Sequence, residues 1–461
     1  MATITEHEPA RAPRSEKVVR VAAWGLIAGL GVFFVGFAVG SGGGLAAAFE
    51  ETVGRGAKVL DAGLRTTFGG HDPQLTQIAR YDGQGVTVDR TDDGALVLMA
   101  GHFGEGTEVR LVRRDGSLVR RWPTVYSADF DGRGFDVPDS AMDLHGTLIE
   151  PDGSVVYNYE YNGTIKRDLC GAVVWRLTHR THHSVERAEG GGYWIPGQRF
   201  IERADAADYP PFHRMEQHDW LAEDTILRVS ETGEIVEAVS AVRVLYESGL
   251  GPLISATGKW FEANRAASAE IVHLNKIAEL PAAYAAAYPT LEAGDLALSF
   301  RQRNLVAVVR PGEWRVVWHG VGPWLRQHDP EFRADGRISV FNNNTFAYNF
   351  DRHYFRPRDL AEPTGNIVAV DPASGETEVV YGDGPGESFH THIRGKHEVL
   401  DGGGLLVTEF EGGRVFETDA SGEIVWEYVN NLDDETAGEI SEARVLPADF
   451  FEVEDWSCPT S

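Results

Sequence analysis

The sequence predicts an all-β protein, a six-bladed β-propeller with helical insertions, preceded by one N-terminal transmembrane helix. Three observations lead there: an uncharged apolar run from Val21 to Gly40, a strand-and-turn repeat beyond it, and two insertions that interrupt the repeat. The 461 residues are 42% hydrophobic, 24% charged and 10% aromatic, with 52 glycines and 11 tryptophans. This balance excludes disorder, collagen and coiled coil for the bulk of the chain and suits short strands joined by turns.

Twenty helical residues at 1.5 Å rise span about 30 Å, the thickness of a bilayer core. Arg11, Arg14, Lys17 and Arg20 lie just before the run, which predicts a cytoplasmic tail over 1–20, an anchor over 21–49 and an extracytoplasmic domain behind it. Cleavage as a signal peptide after the small residues Ala46-Ala47-Ala48 is the alternative. Gly25 with Gly29 and Gly36 with Gly40 form small-xxx-small pairs that leave homo-oligomerisation open. The formal net charge of −28 sets the surface against phosphate backbones, so no nucleic-acid partner is expected.

Six Gly-containing turns, at Gly94, Gly153, Gly190, Gly294, Gly336 and Gly402, each lead into apolar strands. Their spacings are 59, 37, 104, 42 and 66 residues. The matching outer strands end at Arg121-Trp122, Val174-Trp175, Ile235-Val236, Val317-Trp318, Val380-Tyr381 and Val425-Trp426. A period near 40 with several strands per unit is that of propeller blades, placed here over 75–450 with a tail over 451–461. An irregular pair of β-sandwiches is the alternative, although sandwiches need no such period. Residues 199–224 read as a polar and aromatic loop containing Pro210-Pro211. The alanine-rich stretch 259–292 reads as one or two helices stopped by Pro281 and Pro289.

Several of the 16 histidines recur at similar places in the blades, among them His183, His273, His328 and His397. A radial array brings equivalent points of successive blades to one axis, so these residues can meet in one pocket. The two cysteines, Cys170 and Cys458, match no metal-ligand spacing and leave a single pairing open.

His273-Leu274-Asn275 with Leu298-Ser299-Phe300-Arg301, Gln327-His328 with Phe341-Asn342-Asn343, and Gly395-Lys396-His397 before Leu405-Leu406-Val407 together resemble the bacterial arylsulfate sulfotransferases. That resemblance covers most of 145–430. It implies a propeller that moves a sulfuryl group from an aryl sulfate to a phenol without a nucleotide donor or other cofactor. It further implies His397 as nucleophile, with His390 and His392 as close rivals, His273 and His328 as sulfate-binding or proton-transfer groups, and Arg301 as an oxyanion clamp. His183, His390, His392, Arg352 and Arg356 are the expected substrate-binding residues. Arg352 and Arg356 stand in for the family's arginine after the second histidine motif, where this chain has Asn342-Asn343-Asn344-Thr345-Phe346. The closely spaced disulfide of some members has no counterpart.

Imidazole is a competent nucleophile at neutral pH, and neighbouring cations can hold the sulfonate oxygens. Two other readings remain. Clustered histidines with Asp329 or Asp219 suit a divalent metal, and His179 with His183 has His-x-x-x-His spacing, but without the helix and glutamate of a zinc motif. No metal ligand set is assigned. A membrane-tethered propeller that binds without catalysis is the alternative function.

Overall fold

The computed structural model describes residues 75–130, 139, 142–202, 220–255, 271–345 and 364–458. The six blades are present, and each gains a strand that the repeat did not reveal. Blade 2 shows the plan: Leu144–Ile149, Val155–Tyr159, Gly163–Arg167 and Val173–Leu177 form one antiparallel meander. The predicted turn at Gly153 joins its first two strands, so the strand before the turn is the addition.

Blade 3 follows with Arg180–Thr181 and Glu186–Arg187, then Tyr193–Glu202, Trp220–Val229 and Ile235–Ser240. Blade 4 comprises Leu274–Glu279, Leu296–Phe300, Leu305–Arg310 and Arg315–Val321, and blade 5 His328–Phe332, Ile338–Asn342, Asn366–Val370 and Thr377–Tyr381. Blade 6 holds Lys396–Val399, Leu405–Glu409, Arg414–Thr418 and Ile424–Val429, with Gly85–Asp89 added at its outer edge. Blade 1 takes Leu96–His102, Thr107–Arg113 and Leu118–Pro123 from the N-terminal side, and its first strand, Ile440–Leu446, from the C-terminal side. That pairing closes the ring. First strands of neighbouring blades touch each other, as Leu274–Glu279 does His328–Phe332 and Ile440–Leu446 does Leu144–Ile149, so these are the inner strands.

Six apolar clusters fill the structure, one between each pair of adjacent blades. The tryptophans that mark the repeat have a specific task there. Trp122 Nε1 donates to Asp168 O at 3.1 Å, Trp175 Nε1 to Glu231 O at 2.9 Å and Trp426 Nε1 to Arg114 O at 2.8 Å. Each indole is thus buried against the next blade while its one donor is satisfied in that blade's outer turn. Gly233, at φ +81°, admits the Trp175 ring where a Cβ would lie 2.6 Å from it.

Two expectations are corrected. The stretch 259–292 is not helical where it is described: Leu274–Glu279 is the inner strand of blade 4, and only Ala285–Ala287 makes a 3-10 turn. Leu280, Tyr288 and Leu291 are drawn into the core between blades 4 and 5, and that packing outweighs alanine's helix propensity. The described ends of 199–224 belong to the long hairpin of Tyr193–Glu202 and Trp220–Val229. Apart from 3-10 turns at Ala285–Ala287 and Arg301–Arg303, the described helices are short pieces within 126–129 and 241–255. The anchor expected at 21–49 lies outside the described residues, and among those described no helix is long and apolar enough to cross a membrane. Cys170 and Cys458 form a disulfide across 288 residues, tying the C-terminal strap to the outer turn of blade 2.

Candidate functional site

Residues at or just before the starts of the inner strands form a polar ring. His145 comes from blade 2, His183 from blade 3, His273 from blade 4, His328 from blade 5, Arg394 from blade 6 and Glu439 from blade 1. His183, His273 and Arg394 have φ of +59°, +57° and +58°. A non-glycine residue in this left-handed region costs of order 1 kcal/mol and is held there only by its surroundings. Gly146, at φ +88°, lets blade 2 close on blade 3: a Cβ there would stand 2.0 Å from the His183 carbonyl oxygen. The His145 and His183 rings are consequently 4.1 Å apart.

His183 is the hub of the ring. Its Nε2 is 3.1 Å from His273 Nε2, its Nδ1 is 2.7 Å from His182 Nδ1, and its ring lies 6.2 Å from that of His328. Asp224 Oδ1 stands 3.5 Å from His182 Nε2 while Asp224 Oδ2 accepts Leu274 N–H. The carboxylate draws the His182 proton to Nε2. His182 Nδ1 then accepts from His183 Nδ1–H, which leaves the lone pair of His183 on Nε2.

His328 is fixed just as closely. Asn343 Nδ2 donates to Thr391 O at 3.0 Å and Arg394 O at 2.8 Å, so Asn343 Oδ1 faces His328 Nδ1 at 2.7 Å. Oδ1 can only accept, so His328 carries its proton on Nδ1 and keeps a lone pair on Nε2, toward which Arg394 N–H points at 3.3 Å. Burial first, and then the charge of Arg301, hold His328 well below the usual imidazole range. Burial and the neighbouring imidazoles do the same for His183, and burial and Arg394 for His145. Arg301 follows Leu296–Phe300, and its backbone N–H donates to His273 O at 3.1 Å.

Arg394 is bridged to Asp143 and Glu160, with Glu439 3.7 Å away and the Phe410 ring beneath it. Burial opposes its charge, but these acids outweigh burial and keep it cationic. Burial and the Asp143 charge push Glu439 well above the carboxylate range.

Three residues further along their strands stand Glu186, Lys276, Glu331, His397 and Glu442, a second layer. Bulges at Leu274/Lys276, His328/Glu331 and Ile440/Glu442 return the third residue to the axis, where an unbulged strand would turn it away. Lys276 Nζ meets Glu186 at 2.7 Å, Asp329 at 2.9 Å and Glu331 at 2.7 Å, joining blades 3, 4 and 5. Lys396 pairs with Glu442, and Arg444 with Glu186 at 2.8 Å. The layer lines a cavity of about 210 Å³.

His397 belongs to this second layer. Its side chain is fully enclosed, Nε2 shares a proton with Ser339 Oγ at 2.8 Å, and Nδ1 is 3.4 Å from Asp329 Oδ2. The expected residues therefore divide. His183, His273 and His328 come together with Arg301 beside them. His390 and His392 meet edge to face at 4.5 Å and are tied to Glu409, Glu411 and Arg80, away from the contacts that join the ring. Arg352 and Arg356 lie outside the described residues, as does Asp219 of the metal alternative. His145, Asp143, Glu160, Asn343 and Arg394 were missed. A signal was present: His145, His183, His328 and Arg394 precede their turn glycines by eight, seven, eight and eight residues, whereas His397 precedes Gly402 by five.

Fold and ring define a closed propeller with a histidine-rich site at the N-terminal ends of its inner strands. The chain belongs to the arylsulfotransferase (ASST) family, whose model matches residues 145–431. Every ring residue except Glu439 falls in that span. Solved structures similar to this chain include a Bacteroides caccae protein of unknown function, at 12% identity and TM-score 0.48, covering 77% of this chain and 99% of that one. Another is virginiamycin B lyase from Staphylococcus aureus, at 10% identity and TM-score 0.38, covering 75% and 87%. No curated protein matches the chain.

At pH 6.5, where a free imidazole is about half protonated, ¹⁵N NMR of histidine-labelled protein is expected to find His328 neutral with its proton on Nδ1. A doubly protonated His328 ring at that pH would contradict the hydrogen-bond assignment.

Proposed function

We propose that the protein moves a sulfuryl group from an aryl sulfate to a phenol through a sulfated His328. The observation that carries this reading is the Asn343–His328 pair, which leaves a neutral imidazole with its Nε2 lone pair in the ring. Family membership supplies the reaction class. His328 takes the nucleophile's role in place of His397, which sits one layer deeper with Nε2 bonded to Ser339 and Nδ1 facing Asp329 at 3.4 Å.

In the first half-reaction His328 Nε2 attacks sulfur, the S–O bond to the aryl group breaks, and the phenoxide leaves to take a proton from water. The sulfated imidazole is cationic, and Asn343 Oδ1 accepts its Nδ1–H. In the second half the acceptor phenol loses its proton to water, its oxygen attacks sulfur, and the N–S bond breaks to restore His328. His273 and Arg301 face the charge on the sulfonate oxygens, whose stabilisation is the main demand of this transfer.

Ping-pong kinetics are expected between a chromogenic aryl sulfate and a phenol acceptor. His328→Ala is expected to abolish transfer, and His273→Ala to slow it by about 10² to 10³, the usual cost of one oxyanion partner. Undiminished turnover in His328→Ala would overturn the assignment, and no turnover in folded wild-type protein would favour the binding-scaffold alternative.

We infer that the propeller works outside the cytoplasm on the membrane, a reading supported by the uncharged run Val21 to Gly40 with its basic flank and by the Cys170–Cys458 disulfide, since cytosolic thiols keep such cysteines reduced. Cells quenched in acid and alkylated should yield protein labelled at neither cysteine until reductant is added. Free thiols at both positions would contradict this location.

A further inference from the structure

We propose that His145, Glu160 and His183 bind one divalent transition-metal ion of the zinc class, with the neighbouring His273 moving in as the fourth ligand. The ligand atoms of His145, Glu160 and His183 lie within 4.8 Å of one another. His183 Nε2 to His273 Nε2 is 3.1 Å, and His145 Nδ1 to Glu160 Oε1 is 3.5 Å. Four ligands held tetrahedrally at about 2.0–2.1 Å from zinc stand about 3.3–3.4 Å from each other, so both pairs already have the spacing of ligand edges. Two imidazole nitrogens and a carboxylate oxygen, joined by a third imidazole, form a donor set suited to zinc, cobalt or nickel.

An independent observation points to a missing ligand. His145 Nδ1 is buried, makes no hydrogen bond, and is aimed at the Glu160 carboxylate without reaching it. A buried polar atom left this way is destabilising, a penalty that coordination removes. The outer partners of a metal site are also in place. His182 Nδ1 engages His183 Nδ1 at 2.7 Å, with the Asp224 carboxylate 3.5 Å beyond His182 Nε2, which leaves the His183 Nε2 lone pair on the His273 side, as outer-shell partners do for metal-bound imidazoles. Glu160 spends Oε2 on Arg394 and leaves Oε1 for the ion. Two carboxylates, Asp143 and Glu160, hold the single guanidinium of Arg394, so this corner has an excess of negative charge that a divalent cation balances. These ligands differ from the His179–His183 pair and from the Asp329 and Asp219 sets suggested by spacing. In the sulfuryl-transfer reading the ion supplies positive charge for the sulfonate oxygens. That role rests on the reading, whereas binding does not.

The full chain, stripped with chelator and dialysed, is titrated with Co²⁺ and followed by visible absorption, and Zn²⁺ uptake is measured by equilibrium dialysis and elemental analysis. No sulfate ester is present, so failure of the transfer mechanism and failure of the metal site are separate results. One ion per chain, with the intense bands of four-coordinate cobalt, is expected. Glu160→Gln, nearly isosteric, and His183→Ala are each expected to weaken binding at least about 100-fold, against the 10- to 100-fold typical of outer-shell losses. His319→Ala, on the exposed outer strand of blade 4, retains it. If His183→Ala does not fold, Glu160→Gln carries the comparison. Folded wild-type protein that takes up no ion, or an ion bound as tightly by Glu160→Gln as by wild type, overturns the site.

Discussion

Ring closure is the constraint on which the rest depends. Ile440–Leu446 pairs with Leu96–His102, so blade 1 is built from both sides of the propeller sequence. A Cβ on Gly101 would stand 2.2 Å from the Glu439 carbonyl oxygen, which shows how closely the two backbones approach there. Once the ring is closed, each inner strand has one radial position, and equivalent residues from six blades must face one another. The six interblade clusters and the indole bonds of Trp122, Trp175 and Trp426 hold that geometry from outside.

From closure follows the division of the channel into two chemistries. At the strand starts His145, His183 and His328 are neutral imidazoles, kept so by burial, beside the single ion cluster of Arg394. Three residues on, the side chains are ions in close pairs. Buried ion pairs return little net stability, because desolvation offsets their attraction, but removing one partner is severe. The Lys276 layer is therefore read as a device for aligning blades 3, 4 and 5. Histidine on an inner strand thus serves two ends: His328 Nε2 meets only the long Arg394 N–H contact at 3.3 Å within the ring, while His397 is part of the scaffold.

Much of the fold was legible because its signals are local. Gly94 through Gly402 and the outer-strand tryptophans recur at turns and strand ends that each blade must supply for itself. The inner strands were not legible: they are short, polar and broken by bulges, so they lack the alternation that marks a strand. The alanines of 282–287 suggested helix because propensity is local, whereas the burial of Leu280, Tyr288 and Leu291 is set by blade 5. At the site, histidine content pointed to the right strands, but a resemblance ranked His397 first, and only register separates it from the ring. Asn343 looked like a missing arginine. Its role appears only when Thr391 and Arg394, from the next blade, fix which way its amide points.

The central claim is that the ring, through His328, is where chemistry occurs, and covalent trapping tests it most directly. Full-length protein incubated with aryl sulfate alone, digested with trypsin at alkaline pH and analysed by mass spectrometry resolves the candidates. His328 lies in the peptide 327–333, His273 in 266–276, His183 in 181–187 and His397 in 397–414. The account predicts one added sulfuryl group on 327–333, lost when a phenol acceptor is supplied. A sulfuryl group on 397–414, with 327–333 unmodified, would contradict it.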